Sequence, residues 1–408
     1  YKSVPVNQPV DWLPSLSSVR LALMSLPQPS RLSVCLCAAV ATCFVSVVTV
    51  TMKSAAAQDQ PTPKTITDSD INSAINRGIE FLRNRGQTDN GAFSPETGAA
   101  VTALCVRAIL EHRPDAVNDQ VVKKALNFLN SKIQGDGGIY AEGSRYRNYE
   151  TSVAVGALLK ANREGNYDSV LKRAEAFLKQ IQWDEGEGIE SSDTAYGGAG
   201  YGKHERPDLS NTSFLIDALK ELGNDSDDEA IQKALKFVVR TQNLKGQGND
   251  TKHADSIDDG GFYYTPAAGG QSQAGEDGSG GLRSYGSMTY AGLKSMIYAG
   301  LSADDPRVRA AMAFIRKNYS LKDNPGMGQA GLFYYYHTFA KALDAANVEI
   351  IDDADGKPHS WREELTRQIL GMQQPDGSWV NKANDRWMEG DRQLVTAYAL
   401  LALAFCRS

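Results

Sequence analysis

Apolar residues recur at intervals of three and four along most of the chain after residue 70. In the first such run, Ile71, Ala74, Ile75, Ile79 and Leu82 fall on one face of a helix. Five more runs carry the same pattern, and a short apolar motif marks each of them. The six motifs are Gly78-x-x-Phe81-Leu82, Ala125-x-x-Phe128-Leu129, Ala174-x-x-Phe177-Leu178, Ala234-x-x-Phe237-Val238, Ala311-x-x-Phe314-Ile315 and Thr366-x-x-Ile369-Leu370. This spacing predicts six amphipathic helices.

A turn containing glycine follows each of these runs. The version from Asp258 to Tyr264 reads Asp-Asp-Gly-Gly-Phe-Tyr-Tyr. The other five turns are Asn90–Phe93, Asp136–Tyr140, Gly197–Tyr201, Ala330–Tyr334 and Asp376–Trp379. Glycine lets the chain reverse through left-handed backbone angles, and the aromatic residue after it packs on the core. Each turn therefore predicts the end of one helix and the start of another.

A second kind of helix follows each turn, opening with polar residues and continuing apolar on nearly every side. Val153–Leu159 and Leu394–Leu403 are two examples. A helix of this kind must be covered all round, whereas the first helices carry more Lys, Arg and Glu and are expected on the outside. Repetition of helix pairs is the signature of a repeat architecture. The pattern predicts an all-α fold over residues 70–408, a single (α/α)6 toroid whose inner helices start at one rim of a central cavity.

The sequence before the repeats has a different character. Residues 1–57 are interpreted as upstream sequence and a secretory signal peptide, because a short basic segment precedes the apolar run Leu32–Met52 and small residues end at Ala57. We expect cleavage after Ala57, with an uncleaved membrane anchor as the alternative because the run approaches spanning length. Residues 58–69 form a polar linker that contains proline. Both alternatives predict a secreted or periplasmic protein.

Composition fits a globular repeat protein and excludes some partners. The chain is 41% hydrophobic and 23% charged, and its net charge of −6 leaves no basic footprint for nucleic acid. Cys105 and Cys406 are the cysteines outside the signal segment. They are expected to differ in height by roughly 10 Å along neighbouring helices, so buried free thiols are favoured over a disulfide.

The turn Gln373-Gln374-Pro375-Asp376-Gly377-Ser378-Trp379 resembles the repeat of the prenyltransferase and squalene oxidase family. Squalene and terpene cyclases and protein prenyltransferase β-subunits share this repeat, and the similarity spans about residues 70–406. The resemblance implies a helical toroid that binds an elongated apolar, isoprenoid-type ligand in its cavity. It leaves open whether the chain is an enzyme, since the repeat marks helix turns rather than chemistry.

The chemical signatures of that family are incomplete in this sequence. Class II terpene cyclases protonate an alkene with the central acid of an Asp-x-Asp-Asp motif. The nearest match, Asp255-Ser256-Ile257-Asp258-Asp259, is one residue longer, which makes Asp258 and Asp259 the catalytic candidates and an acidic solvated loop the alternative.

Protein prenyltransferase β-subunits bind zinc through an Asp-x-Cys pair and a distant His. The segment around His337 resembles the part of the family that carries the His, but Ser284–Ser287 has neither the cysteine nor the acid. No metal and no cofactor are therefore expected.

Polar and aromatic residues at the starts of the predicted inner helices are the remaining candidates for ligand binding. They are Tyr149, Glu150, Asp208, Asn211, Tyr285, Tyr290, Tyr335, His337, Trp387, Glu389 and Asp391. Helix N-termini favour anionic or hydroxyl-rich ligands, and aromatic faces can stack on sugars or shield a carbocation. Asn211 and Asp391 are equally typical of helix caps.

Three functions remain open at the level of sequence. The first is a terpene-cyclase-like toroid with a small-molecule or lipid-like ligand and with cyclase or mutase chemistry as one outcome. The second is a carbohydrate-active toroid of the glycoside hydrolase or lyase type, and the third is a non-catalytic interaction scaffold. Deep aromatic residues around one acid favour the first, a pair of carboxylates in an open groove favours the second, and a cavity filled by Leu and Ala favours the third. A membrane is a partner only through an uncleaved N-terminal segment.

Overall fold

The computed structural model describes residues 66–202 and 206–407. The predicted signal peptide and residues 58–65 of the predicted linker lie outside these ranges. The described residues form twelve α-helices, which alternate between an outer and an inner layer. The outer helices are α1 (Asp68–Phe81), α3 (Gln120–Asn130), α5 (Asp168–Gln180), α7 (Glu229–Arg240), α9 (Pro306–Lys317) and α11 (Trp361–Met372). The inner helices are α2 (Ala100–His112), α4 (Arg147–Ala161), α6 (Leu209–Glu221), α8 (Gly286–Tyr298), α10 (Leu332–Ala345) and α12 (Arg392–Cys406).

The six inner helices close into a ring. Each packs on the next in chain order, from α2 to α12, and α12 returns to pack on α2. The outer helices cover this ring, since α3, α5, α7, α9 and α11 pack on α2, α4, α6, α8 and α12 respectively. The (α/α)6 toroid predicted from the sequence is thus confirmed. Two short antiparallel strands, β1 (Ile351–Asp352) and β2 (Pro358–His359), pair in the loop before α11, with Ile351 opposite His359.

Local sequence explains where the outer helices begin and which face they bury. Asp228 accepts hydrogen bonds from the backbone N–H groups of Ala230 and Ile231 at the start of α7, and that helix turns Ala234 and Phe237 inward. Thr67 and Asp70 form a capping box at the start of α1. Because α1 begins at Asp68, the last two residues of the predicted linker are helical. In the described ranges no helix is both long and apolar enough to cross a bilayer.

A threonine one turn into the inner helix holds the glycine turn in five of the six repeats. Its Oγ1 accepts a hydrogen bond from the backbone N–H of a turn residue, at 2.9 to 3.1 Å. The pairs are Phe93 with Thr102, Ile139 with Thr151, Ala199 with Thr212, Phe262 with Thr289 and Trp379 with Thr396. These bonds place five of the six inner helices at the same height, so their N-terminal ends line one mouth of the ring.

A glutamine after the outer helix joins neighbouring repeats. The Gln242 amide donates to the carbonyl oxygens of Gly260 in its own turn and of Arg307 in α9, both at 2.9 Å. Gln373 does the same at the seam between the last repeat and the first, donating to Gly377 at 2.9 Å and to Ala74 in α1 at 2.8 Å. The two ends of the repeat array are thereby fastened to each other.

The two cysteines in the described ranges are free thiols, as the sequence predicted. Cys105 is buried in α2, and Cys406 is half-buried at the end of α12. Burial raises the pKa of both thiols, that of Cys406 to about 12, so both are expected to be protonated and unreactive.

Candidate functional site

Aromatic side chains from four inner helices meet inside the ring, close to the mouth. The ring centroids of Tyr149 in α4 and Phe214 in α6 are 5.0 Å apart, and those of Phe214 and Tyr334 in α10 are 6.2 Å apart. Tyr334 lies 6.1 Å from Tyr398 in α12, whose hydroxyl is 3.1 Å from that of Tyr149. We name these four residues the aromatic layer. Burial raises the pKa of Tyr149 to about 12, so its hydroxyl is neutral.

A buried carboxylate that caps an inner helix, Asp208, borders this layer. Asp208 caps α6, accepting from the backbone N–H of Asn211 at 2.9 Å and from its Nδ2 at 2.8 Å. Burial raises the pKa of Asp208 to about 6, although the bonds from Asn211 and Tyr264 act in the opposite direction. Burial and the charge of Asp208 in turn raise the pKa of Tyr201 and of Tyr264. Asp208 is therefore an acid among neutral phenols.

A network of buried charges lies below the aromatic layer, towards the C-terminal ends of the inner helices. Arg107 forms two hydrogen bonds with Glu221, at 2.8 and 2.9 Å, and Lys341 lies 2.9 Å from both Glu221 and Asp217. Lys294 lies 2.7 Å from Asp217. We name these five residues the ionic floor. Burial lowers the pKa of Lys294 to about 8, whereas Asp217 and Glu221 overcome burial and raise that of Lys341.

A small cavity separates the aromatic layer from the ionic floor. Its volume is about 20 Å³, room for about one water molecule, and Phe214, His337, Lys341 and Leu401 contribute to its lining. His337 is buried and stacks on Tyr398 at 5.7 Å, and its Nδ1 has no hydrogen-bond partner in the described part of the chain. Burial and the nearby Lys341 lower the pKa of His337 well below its usual value, so the imidazole is neutral. No group of three potential metal ligands occurs among the residues that the structure describes.

The structure divides the predicted rim residues into three groups and leaves Trp387 apart from them. Tyr149, Asp208 and Asn211 face the interior of the mouth together with Tyr285, whose pKa is raised by burial and by the nearby Tyr334 and Asp208. His337 lies one turn deeper in α10. These five residues lie together at or just below the mouth, and their role in ligand binding stays a prediction.

Tyr290 and Tyr335 form a second group, which lies away from the mouth. Both rings pack on Phe339, at 4.8 and 5.8 Å, and Phe339 in turn contacts Trp361 of the outer helix α11. The Tyr335 hydroxyl donates to the carbonyl oxygen of Ser320 at 2.7 Å. These tyrosines belong to the packing between the two helix layers, and their predicted role in ligand binding has no geometric support.

The third group consists of carboxylates that hold helix starts. Glu150 accepts from the backbone N–H groups of Ala99 and Ala141 at 2.7 and 3.0 Å. Glu389 accepts from those of Phe333 and Tyr334 at 2.8 and 2.9 Å. Asp391 caps α12 through the backbone N–H of Leu394 at 3.0 Å and also accepts from the Ser94 hydroxyl. Helix capping and repeat-to-repeat contacts account for all three.

Trp387, the last of the predicted rim residues, lies on the outer surface of the mouth. Its side chain is 42% exposed, and it adopts a left-handed backbone conformation, as does Met388 after it. The guanidinium of Arg386 stacks on its ring at 4.3 Å.

Asp258 and Asp259 lie in the turn before α8, at the periphery of the ring. Asp258 is exposed and accepts from the backbone N–H of Lys245 at 3.1 Å. Asp259 accepts from the backbone N–H of Gly261 at 3.0 Å and from the Ser284 hydroxyl at 2.7 Å. Turn formation accounts for these contacts, and the catalytic role of the two acids stays a prediction.

The sequence analysis missed the residues that shape the interior. Asp208-Leu209-Ser210-Asn211 has the spacing of the Asp-x-Asp-Asp motif at the start of an inner helix, with a hydroxyl and an amide in place of the second and third acids. Phe214, Asp217 and Glu221 then follow at intervals of three and four along the same helix, as do Tyr334, His337 and Lys341 along α10. Charged residues at helical spacing inside otherwise apolar helices were the available signal.

Comparison with known proteins identifies a family whose sequence model matches part of the chain. The sequence model of the squalene-hopene cyclase C-terminal domain matches residues 66–265. This match confirms the predicted resemblance to the prenyltransferase and squalene oxidase repeat family. No curated relative matches the sequence.

Several solved structures share the arrangement at low identity. Type II terpene cyclase MstE from Scytonema, without ligand, is 15% identical with a TM-score of 0.49, covering 85% of this chain and 98% of that chain. A variant of MstE in complex with its substrate geranylgeranyl dihydroxybenzoate is 15% identical with a TM-score of 0.47, covering 83% and 97%. Candida albicans protein geranylgeranyltransferase-I complexed with GGPP is 13% identical with a TM-score of 0.47, covering 81% and 90%.

Proposed function

We propose that this terpene-cyclase-like toroid binds an elongated apolar, isoprenoid-type ligand across the aromatic layer at its mouth. The observation that carries the proposal is the convergence of Tyr149, Phe214, Tyr334 and Tyr398 from four different inner helices. Aromatic faces present a large apolar area at little cost in side-chain entropy, which suits a ligand without directional polar groups.

In this proposal, Asp208 is the residue that donates or accepts protons at the site. In the Asp-x-Asp-Asp arrangement the central acid delivers the proton, and here Ser210 stands at that position, 3.0 Å from the Tyr334 hydroxyl. Asp208 is the carboxyl that remains, and its pKa of about 6 keeps part of it protonated near neutral pH. The proposal is therefore ligand binding, with Asp208 as the proton donor or acceptor for any cyclase or mutase reaction.

The two other candidate functions receive less support from the geometry. Glu150 and Glu389, the other buried carboxylates of the predicted rim, are occupied by backbone N–H groups of helix starts. No pair of carboxylates faces an open groove inside the mouth among the described residues, as glycoside hydrolysis requires. The interior is lined by aromatic and charged side chains rather than filled by Leu and Ala, which disfavours an inert scaffold.

The test is binding of geranylgeraniol, measured by native mass spectrometry and by quenching of tyrosine and tryptophan fluorescence. Wild-type protein should retain the alcohol, and Tyr334→Ala should weaken binding about tenfold or more, because stacking contacts with one wall of the site are lost. Tyr167→Ala removes a tyrosine at the start of α5, outside the aromatic layer, and should bind like wild type. A wild-type protein that stays free of geranylgeraniol at saturating concentration would overturn the proposal.

A location outside the cytoplasm is also a proposal, and it rests on the signal-like sequence of residues 1–57. N-terminal sequencing of the protein recovered from its native cells tests it. A first residue of Gln58 is the expected result.

A further inference from the structure

The loop between α7 and α8 crosses the mouth of the ring. Its last part, residues 266–283, begins just after Tyr264 and ends just before Tyr285, and both tyrosines border Asp208. We name this segment the strap. Its two ends are therefore anchored at the edge of the candidate site.

Two arginines from opposite sides of the ring hold the strap in place. Arg206 precedes α6 and donates to the side-chain carbonyl oxygen of Gln271. Arg386 precedes α12 and donates to that of Gln273 at 2.6 Å. In a closed ring of six inner helices, α6 and α12 are three positions apart in either direction and thus lie opposite each other. Gln271 and Gln273 are at most about 7 Å apart, so the short segment between them joins the two sides of the mouth.

The strap is fastened at both ends and exposed in its middle. Thr265 and Gln271 exchange backbone hydrogen bonds at 2.9 and 3.1 Å, and at the other end Leu282 is buried and its carbonyl oxygen accepts from the Asn243 amide at 2.7 Å. Between these ends most residues are exposed or half-buried, and a side chain added at Gly275 or Gly280 would meet no atom within 4 Å. The middle of the strap, which has few buried apolar contacts, therefore opens at low cost in free energy.

Two residues with a strained backbone lie directly after Arg386. Trp387 and Met388 both have positive φ angles, 57° and 64°, although neither is glycine. Such conformations cost about 1 to 3 kcal/mol each and cluster at ligand clamps and switch regions. Here the left-handed Trp387 places its ring against Gly331 and under the guanidinium of Arg386. The strained pair thus positions the arginine that holds Gln273.

We propose that residues 266–283 form a gate over the aromatic layer, latched by the hydrogen bond between Arg386 and Gln273, and that the structure shows its closed state. The identity of the molecule that passes the gate, an apolar isoprenoid-type ligand, rests on the proposed function. Opening of the strap would uncover Tyr264, Tyr285 and Asp208 and would give a long apolar chain access to the aromatic layer from the mouth.

The first experiment needs no ligand. Amide hydrogen exchange in peptides covering residues 266–283 is compared between wild type, Arg386→Ala and Arg392→Ala. Arg392 is an exposed arginine at the same rim whose hydrogen bonds go to Asp376 and Ser378 instead of the strap. Loss of one charged hydrogen bond should raise exchange in the strap about tenfold in Arg386→Ala and leave it unchanged in Arg392→Ala. Equal exchange in all three proteins would overturn the latch.

Two further variants test whether faster amide exchange in the strap comes from loss of the bond between Arg386 and Gln273 or from a general loss of packing. Gln273→Ala should reproduce the exchange of Arg386→Ala, and the double variant should exchange no faster than either single variant, because both remove the same bond. Additive effects would mean that the two residues act separately, and would overturn the pairing.

The second experiment measures passage through the gate by stopped-flow binding of geranylgeraniol. Arg386→Ala should bind about tenfold faster than wild type and Arg392→Ala should not, because the closed population falls as the latch is removed. Unchanged association rates with measurable binding would overturn the gating role. Failure of every variant, including wild type, to bind would instead overturn the proposed ligand, while the exchange results would still decide whether the strap is latched.

Discussion

Single residues at the mouth carry the chemistry that this toroid can offer. Asp208 is a helix cap and also a carboxyl buried among phenols, so the same side chain serves the fold and the candidate site. Ser210 and Asn211 surround it with groups that form hydrogen bonds but do not titrate in the physiological range. The acid is thus isolated, and its protonation should be visible in the stability of the whole protein.

The first prediction concerns the pH dependence of that stability. Burial raises the pKa of Asp208 to about 6 in the folded protein, above the usual value of 3.8. Between about pH 4 and pH 6 the folded state therefore holds a proton that the unfolded state releases, and stability falls as the pH rises through this window. The Asp208 contribution should fall by about 3 kcal/mol between pH 4 and pH 7 and change little above that range.

Urea unfolding of wild type and Asp208→Asn at several pH values measures this contribution as a difference. Ser210→Ala is the matched control, because it alters the neighbouring side chain without removing a titrating group. A difference between wild type and Asp208→Asn that stays constant from pH 4 to pH 7 would contradict the assignment.

At the scale of elements, the helix pairs depend on turns that bring backbone into contact with backbone. Gly377, in the turn between α11 and α12, has a φ of +89°, and a side chain there would lie 2.4 Å from the carbonyl oxygen of Arg77 in α1. The neighbouring outer helix leaves no space for a Cβ atom. The glycine turns that mark the repeats in the sequence are thus set by contacts between repeats as much as by the reversal of the chain.

The second prediction compares two glycines near the same turn. Gly377→Ala should lower the free energy of unfolding by about 3 kcal/mol, because it adds backbone strain and a clash with α1. Gly371→Ala, inside α11 with no atom within 4 Å of the added methyl, should raise it by up to about 1 kcal/mol through helix propensity. Chemical denaturation of both variants measures the two effects. If both substitutions changed the free energy of unfolding in the same direction, contact with α1 would not be the cause of the effect of Gly377→Ala.

At the scale of the whole molecule, the ring is closed by the same contacts that join successive repeats. Gln373 fastens the last turn to α1 as Gln242 fastens an internal turn to α9. Of these two glutamines, only Gln373 contacts α1, so its loss should have a distinct effect on the first helix.

The third prediction compares substitution of Gln373 with substitution of Gln242, which serves as the control. Gln242→Ala removes two hydrogen bonds, and Gln373→Ala removes two of the same kind together with one that Gln373 accepts from Arg77; each substitution should cost about 2 kcal/mol. Amide exchange in α1 should increase in Gln373→Ala alone, since α1 there loses its link to the last repeat. Unchanged exchange in α1 would mean that apolar packing of α1 on α11 and α12 closes the ring without the glutamine.

Much of the architecture could be predicted from sequence because it repeats. Six copies of one helix motif and six glycine turns identify inner and outer helices without any knowledge of contacts. The candidate site was predicted less completely, since Tyr290 and Tyr335 have the same residue type and helical position as true mouth residues. Their orientation towards Phe339 depends on how α8 and α10 pack together, which no local pattern encodes.

The sequence by itself determined the number, order and layer of the helices, because amphipathic periodicity and turn chemistry are local properties of the chain. The tertiary structure alone decided which side chains share the interior, because closing the ring brings α4, α6, α10 and α12 together from distant parts of the sequence. Only that closure turns Asp208 into a buried acid, gathers the ionic floor beneath the aromatic layer, and lays the strap across the mouth.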